Sequence, residues 1–309
     1  MKTTSYETSQ NPELERQVAE AVHNGLFAAF TVHESLGPDG VTAMQPNQFG
    51  ETALVADVKA EEAVLSALSS INARIEVISE EHGSVIINAD NASGSRLLGV
   101  LDGLDGSSVY QKERGVGRYG TMFALFADEN PRYADYLAAG IMEHSTHRLY
   151  LAIKGQPLEC IDVITGEVTY PTTKPEAQIT PSMVALVDTT QVGTDDKLYD
   201  YFNQNGQVFT ASLQKFGIQS KRTGSSAASY AAIANGEADI VGESTRKGNL
   251  EFATAYAIVT AAGGVMQTLD GTDLGIQDFR TFGQNSHTPI LTAANATLAD
   301  LVRPTLQPA

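Results

Sequence analysis

The sequence predicts an α+β protein whose helices and sheets alternate in layers. Three observations lead there. Two amphipathic helical patterns open the chain, short apolar strand-like runs dominate the rest of the first half, and strands and helices mix in the second. With 309 residues, 42% of them hydrophobic and 18% charged, the chain can bury a sizeable core as one large domain or two coupled halves.

Asn11 and Pro12 mark the first helix start, as cap and first-turn residue, and Leu14, Val18, Val22 and Leu26 recur at helical spacing behind them. Gly37, Pro38, Gly40, Pro46 and Gly50 then read as a loop. Asp57 to Ile71 is a second helix, with Val64, Leu65, Leu68 and Ile71 on one side. Ile75 to Glu81 is a short strand running into Glu80 and Glu81, Leu97 to Leu101 a strand running into Asp102, and Met122 to Phe126 a third. Gly140 to Ile153 alternates as one or two more. That places His144 and His147 on a strand, where residues three apart point to opposite faces and cannot share a metal. Met183 to Val187 is another strand, Ala227 to Ala234 a helix, Asn249 to Ala262 a stronger helix stopped by Gly263 and Gly264, and Val265 opens a further strand. Pro171 to Pro181 reads as a seam dividing the chain into halves 1–172 and 173–309.

The net charge of −17 and the lack of a clustered basic face argue against nucleic acid or an anionic membrane as partner. The densest basic groups are Lys221-Arg222 and Arg246-Lys247. The single cysteine, Cys160, allows no disulfide within the chain and reads as a core or surface thiol, which fits a reducing compartment. The first ten residues are polar with no signal region, and no apolar run is long enough to span a bilayer, so a cytoplasmic location is expected.

Carboxylates gather at the ends of the expected elements: Asp57, Glu80-Glu81, Asp102 with Asp105, and Glu251. If the strands before Glu80 and Asp102 are neighbours, about 4.8 Å apart, their carboxylates face each other. Two carboxylates about 5 Å apart repel by roughly 3 kcal/mol at an effective dielectric near 20, so they must take up protons or hold a cation. Oxygen donors without a cysteine or histidine cluster favour a hard ion, Mg²⁺ or Mn²⁺, over zinc. Other motifs fail on inspection. An EF-hand register from Asp102 puts Glu113 at its last position but Leu104, Gly106 and Ser107 where oxygen ligands and glycine belong. Gly115 to Gly120 spells G-x-G-x-x-G, yet it leads into a strand rather than a helix and reads as a mobile loop.

Taken together these residues resemble a known family. Glu80-Glu81 followed by D-x-x-D-G-S at Asp102 to Ser107 is similar to the metal signature of the inositol monophosphatase and fructose-1,6-bisphosphatase superfamily, which comprises magnesium-dependent, lithium-sensitive sugar phosphatases. Arg222 to Ala228 resembles that family's R-x-x-G-S-A-A segment, and Glu251, twelve residues before Gly263-Gly264, its acidic residue ahead of a glycine pair. The likeness runs from Asp57 to Gly264. It implies an α-β-α-β-α sandwich and a Mg²⁺-dependent phosphomonoesterase acting on a sugar or cyclitol phosphate by attack of a metal-activated water. It also implies two or three Mg²⁺ ions, with Mn²⁺ a substitute, and a homodimer. Carried over residue by residue, Glu80, Asp102, Asp105, Glu251 and the Leu104 carbonyl would bind metal, with Glu81 a further ligand. Asp57 and Ser107 would share the catalytic work with Glu80, Ser107 placing the attacking water and Asp57 partnering it. Gly106, Ser107 and Ser108 would meet the phosphate, and Gly224, Ser225 and Glu243 the rest of the substrate. Gly103 stands where the family usually has proline, and Glu251 and Leu250 where the inositol branch has aspartate and tryptophan. Two other readings follow from this mixture. One is a fructose-1,6-bisphosphatase or 3′-phosphonucleotide phosphatase, its second phosphate met by Lys221, Arg222, Arg246 and Lys247. The other is a non-catalytic protein that binds metal or phosphoinositide.

Overall fold

Helix α1 (Pro12–Leu36) starts where its cap predicts: the Asn11 side chain accepts the Leu14 N–H at 3.1 Å. Its buried stripe of Val18, Val22 and Leu26 lies on the first core. The computed structural model describes residues 11–91, 94–113, 116–187, 213–245, 249–284 and 288–306. The polar first ten residues, Gly115 of the glycine motif, and Arg246 and Lys247 lie outside these.

The glycine- and proline-rich stretch after α1 is not all loop. Gly37–Val41 forms a 3-10 turn, and β1 (Ala43–Pro46) pairs antiparallel with β2 (Thr52–Leu54). The hairpin forms because the Asn47 side chain accepts the N–H groups of Phe49 and Glu51, each at 3.0 Å, and so closes the turn. Helix α2 (Val55–Ala67) follows at once, and the Asp57 carboxylate caps it by accepting the Leu54 N–H at 2.6 Å.

Eight strands then form one sheet: β3 (Ala73–Ser79), β4 (Gly83–Ile87), β5 (Ser95–Asp105), β6 (Gly120–Phe126), β7 (Tyr136–Glu143), β8 (Arg148–Ile153), β9 (Glu159–Asp162) and β10 (Val168–Thr169), in the order β10-β9-β8-β7-β6-β5-β3-β4. Helix α3 (Ser107–Glu113) interrupts the run between β5 and β6. Strands β3 and β5 pair in parallel and the other pairs are antiparallel. Strand β5 is buried from Leu97 through Asp105, as an almost wholly apolar central strand should be. It runs past the expected end at Leu101, with a break in register against β6 between Asp102 and Asp105. Such irregularities re-aim side chains beside functional sites.

His144 and His147 are not on a strand. Residues His144–Thr146 make a 3-10 turn between β7 and β8, and His147 takes a left-handed φ of 57°. The alternation that suggested a continuous strand spans two strands and this turn. The buried His144 ring packs against His33 of α1, 3.9 Å between centroids. Cys160 sits buried in β9.

A second sheet has the order β12-β11-β13-β15-β14, built from β11 (Ala185–Val187), β12 (Ser220–Lys221), β13 (Ile240–Ser244), β14 (Val265–Thr268) and β15 (Pro289–Ala293). Helices α4 (Ser226–Ala234) and α5 (Leu250–Ala261) lie between the two sheets, touching β6 and β7 on one side and β13 and β14 on the other. That position explains why α5 is apolar all round, with Phe252 to Val259 all buried. Helices α1 and α2 cover the outer face of the first sheet, and α6 (Ala296–Val302) packs on the second. The layers are therefore α-β-α-β-α. Among the described residues no helix is long and apolar enough to cross a membrane.

Candidate active site

The parallel pairing of β3 with β5 sets the site. Ser79 lies opposite Leu101, and the Glu80 N–H donates to the Leu101 carbonyl at 3.1 Å, so Glu80 and Asp102 emerge side by side at the same sheet end. The break in β5 then brings Asp105 round to the start of α4, where it accepts the Ala227 N–H at 2.7 Å and the Ser225 hydroxyl. Ser225 in turn caps α4 by accepting the Ala228 N–H at 3.1 Å. Glu251 arrives from the first turn of α5. Carboxylate oxygens of Asp102, Asp105 and Glu251 all lie within 4.8 Å of one another.

These groups line a cavity of about 180 Å³. Glu80, Asp102, Leu104, Asp105 and Glu251 form its acidic side. Gly106, Ser107 and Ser108 lie where β5 passes into α3, and Gly224, Ser225 and Glu243 form the wall contributed by the second sheet and α4. Asp57 and Glu81 are not among the lining residues. Both are nevertheless near enough to raise Glu80 by charge, and Asp57 raises Asp102 as well.

Crowding is visible in the protonation of these groups. Burial first, and then Glu80, Asp105, Glu251 and Asp57, push the Asp102 carboxyl well above the usual carboxylate range. Burial, then Glu251, Glu81 and Asp57, do the same to Glu80. Burial lifts Asp57 to about 8 against the pull of the Leu54 N–H, and Glu81 to about 7 against that of Asn47. Among the described residues no lysine or arginine lines the cavity. An all-oxygen donor set under mutual repulsion fits a hard divalent cation.

Gly103 and Gly106 are fixed by contacts. A Cβ on Gly103 would lie 2.5 Å from the Asp57 carbonyl oxygen and 2.7 Å from Cγ of Glu61, so this chain has no room for proline there. Gly106 has φ +90°, and a Cβ would lie 2.8 Å from that of Ser225. Several neighbours escape a motif reading. Glu51 also lines the cavity, as do Thr223, Ser226 and Ser229. The buried Glu243 carboxylate accepts the hydroxyls of Ser226 and Tyr230, both at 2.7 Å. The Thr121 hydroxyl donates to the Gly103 carbonyl at 2.7 Å. Glu61 is fully buried beneath the Glu80 turn. Its signal was periodic: Asp57, Glu61, Val64 and Leu68 form the buried stripe of α2 and the turn that follows it.

The model of the inositol monophosphatase family matches residues 8–303. No curated protein matches the chain. Among solved structures, an inositol monophosphatase from Zymomonas mobilis is 18% identical and superposes with a TM-score of 0.63 over 97% of this chain and 99% of that one. An inositol monophosphatase from Anabaena (Nostoc) is 17% identical, with a TM-score of 0.66 over 94% of this chain and 95% of that one. Fructose-1,6-bisphosphatase from Leishmania major is 16% identical, with a TM-score of 0.67 over 95% of each chain. At these identities the likeness speaks for the fold.

Proposed function

The chain belongs to the inositol monophosphatase family, and from that premise we propose that it hydrolyses the monophosphate ester of a sugar or cyclitol. The observation that carries this reading is the convergence of Asp102, Asp105 and Glu251 within 4.8 Å, in a cavity whose opposite wall is made of hydroxyls and one buried carboxylate. Glu80, Asp102, Asp105, Glu251 and the Leu104 carbonyl would hold Mg²⁺, with Glu81 a further ligand. Bound there, the cation supplies cancellation of the ester's dianionic charge and Lewis acidity.

The chain's own groups take the remaining roles. Ser107, the first residue of α3, orients the attacking water, and Asp57 accepts its proton. A serine hydroxyl is too weak an acid to do this alone at neutral pH, which is why a carboxylate partner is needed. The amides of Gly106 and Ser107 face the phosphate at the end of β5. Ser226 and Tyr230 hold Glu243 at 2.7 Å each, where it can accept hydroxyls of a polyol.

A monophosphate is favoured over fructose-1,6-bisphosphate or a 3′-phosphonucleotide. Among the described residues the cavity lining holds no cation and Lys221 and Arg222 do not line it, while Arg246 and Lys247 lie outside the described residues. A panel of phosphate esters, assayed for released phosphate with Mg²⁺ and with chelator, tests both statements. Polyol monophosphates should show the highest kcat/KM, and only with Mg²⁺. Preference for a bisphosphate would overturn the substrate class, and turnover in chelator would overturn the metal assignment.

A further inference from the structure

Glu61 has no part in the roles above, yet three residues beside them hydrogen-bond to it. It lies on α2 one turn beyond Asp57 and is fully buried. Three residues at the end of β3 and in the turn after it donate to it: the Ser79 hydroxyl, the Glu81 N–H at 3.2 and 3.3 Å to its two oxygens, and His82 Nδ1 at 2.7 Å. Because an ionised carboxylate only accepts, His82 must carry its proton on Nδ1. The Ser79 hydroxyl also accepts the His82 N–H at 3.1 Å, so the turn is laced to itself as well as to Glu61. Among the described residues no arginine or lysine hydrogen-bonds to Glu61. On its other side, Cγ of Glu61 stands against Gly103 at the irregular end of β5.

We propose that Glu61, with His82 as its partner, is a positioning residue that fixes the Glu80-Glu81 turn against the Asp102–Asp105 end of β5 and so sets the geometry of the cation site. The inference rests on the functional reading above, since it presumes that these carboxylates hold a metal. Glu61 is not among the residues that line the cavity. Its three donors define where the backbone turns out of β3, and that turn decides how far Glu80 stands from Asp102. Outer hydrogen-bond partners of this kind typically change metal affinity by about 10–100-fold when removed.

Glu61→Gln keeps the shape but turns one acceptor oxygen into a donor facing donors. His82→Leu removes one donor at a partly exposed position, where folding is not at risk, and His82→Asn can restore a donor. Calorimetric titration of each protein with Mn²⁺, beside the Mg²⁺ dependence of phosphate release, separates the outcomes. Glu61→Gln should bind metal about 10–100-fold more weakly, with kcat at saturating metal falling far less. His82→Leu should show a smaller loss in the same direction, and His82→Asn should recover it. Undiminished metal binding by both Glu61→Gln and His82→Leu overturns the proposal, as does a loss confined to kcat. A wild-type protein that binds no metal overturns the functional reading, and this inference with it.

Discussion

Two groups of buried and half-buried carboxylates lie in and beneath one cavity, and they differ in what surrounds them. Asp102, Asp105 and Glu251 converge with Glu80 close enough to act on Asp102 by charge, and burial with mutual repulsion pushes Asp102 and Glu80 far up. Glu61 and Glu243 are met by donors, Ser79, Glu81 and His82 for one and Ser226 and Tyr230 for the other, while Asp105 has both kinds of neighbour, Asp102 and Glu251 on one side and the Ser225 hydroxyl and Ala227 N–H on the other. Burial alone therefore does not mark a cation site. Convergence of several carboxylates is the sharper sign, because like charges within reach of one another must take up protons or hold a cation.

The contrast can be broken most forcefully at Asp102. Asp102→Asn should lower Mg²⁺-dependent phosphate release by about 10²–10³-fold or more. In the metal-free protein the same change relieves repulsion, so its melting temperature should rise above that of wild type. Retained activity would remove Asp102 from the site.

Metal removal gives the next largest effect, and its sign follows from the raised groups. Asp57, at about 8, and Glu81, at about 7, keep protons in the folded state that the unfolded chain has released above about pH 4. Between those limits the unfolded state binds fewer protons, so the metal-free fold loses stability as pH rises. The gap in melting temperature between Mg²⁺-loaded and chelated protein should widen from pH 5 to pH 8. A constant gap would contradict the repulsive reading of the cluster.

On the donor-rich side the effects are smaller. Ser226→Ala leaves Glu243 with one donor fewer and should raise KM by roughly 10-fold, with the Mg²⁺ requirement unchanged. Gly103→Ala probes the seam between the two groups. Its Cβ would meet the Asp57 carbonyl at 2.5 Å, and overpacking of that kind costs about 1–3 kcal/mol, readable as a lowered midpoint in urea.

Much of this was legible in the chain. The cap at Asn11, the strand ahead of Asp102 and the apolar helix after Asn249 each combine a clear period with a clear start or stop, and each appears in the fold. The acidic cluster was legible because its members end strands and open helices, where side chains converge. What stayed hidden lacks a local signal. Strand β4 is a five-residue edge strand opening with Gly-Ser, and β13, which carries Glu243, is defined by its neighbours in the sheet rather than by alternation. The His144 turn escaped because β7 and β8 flank it with so few residues between them. Glu61 carries no motif, and its periodic place on α2 does not say that Ser79 and His82 arrive above it.

The most direct measurement is a calorimetric titration of metal-free protein with Mg²⁺ near pH 7, repeated in buffers of different ionisation enthalpy, for wild type and Asp102→Asn. Wild type should bind Mg²⁺ and release protons as the raised carboxyls ionise, and Asp102→Asn should bind far more weakly with fewer protons released. Binding without proton release, or binding undiminished by Asp102→Asn, would contradict a cation site built from these crowded carboxylates.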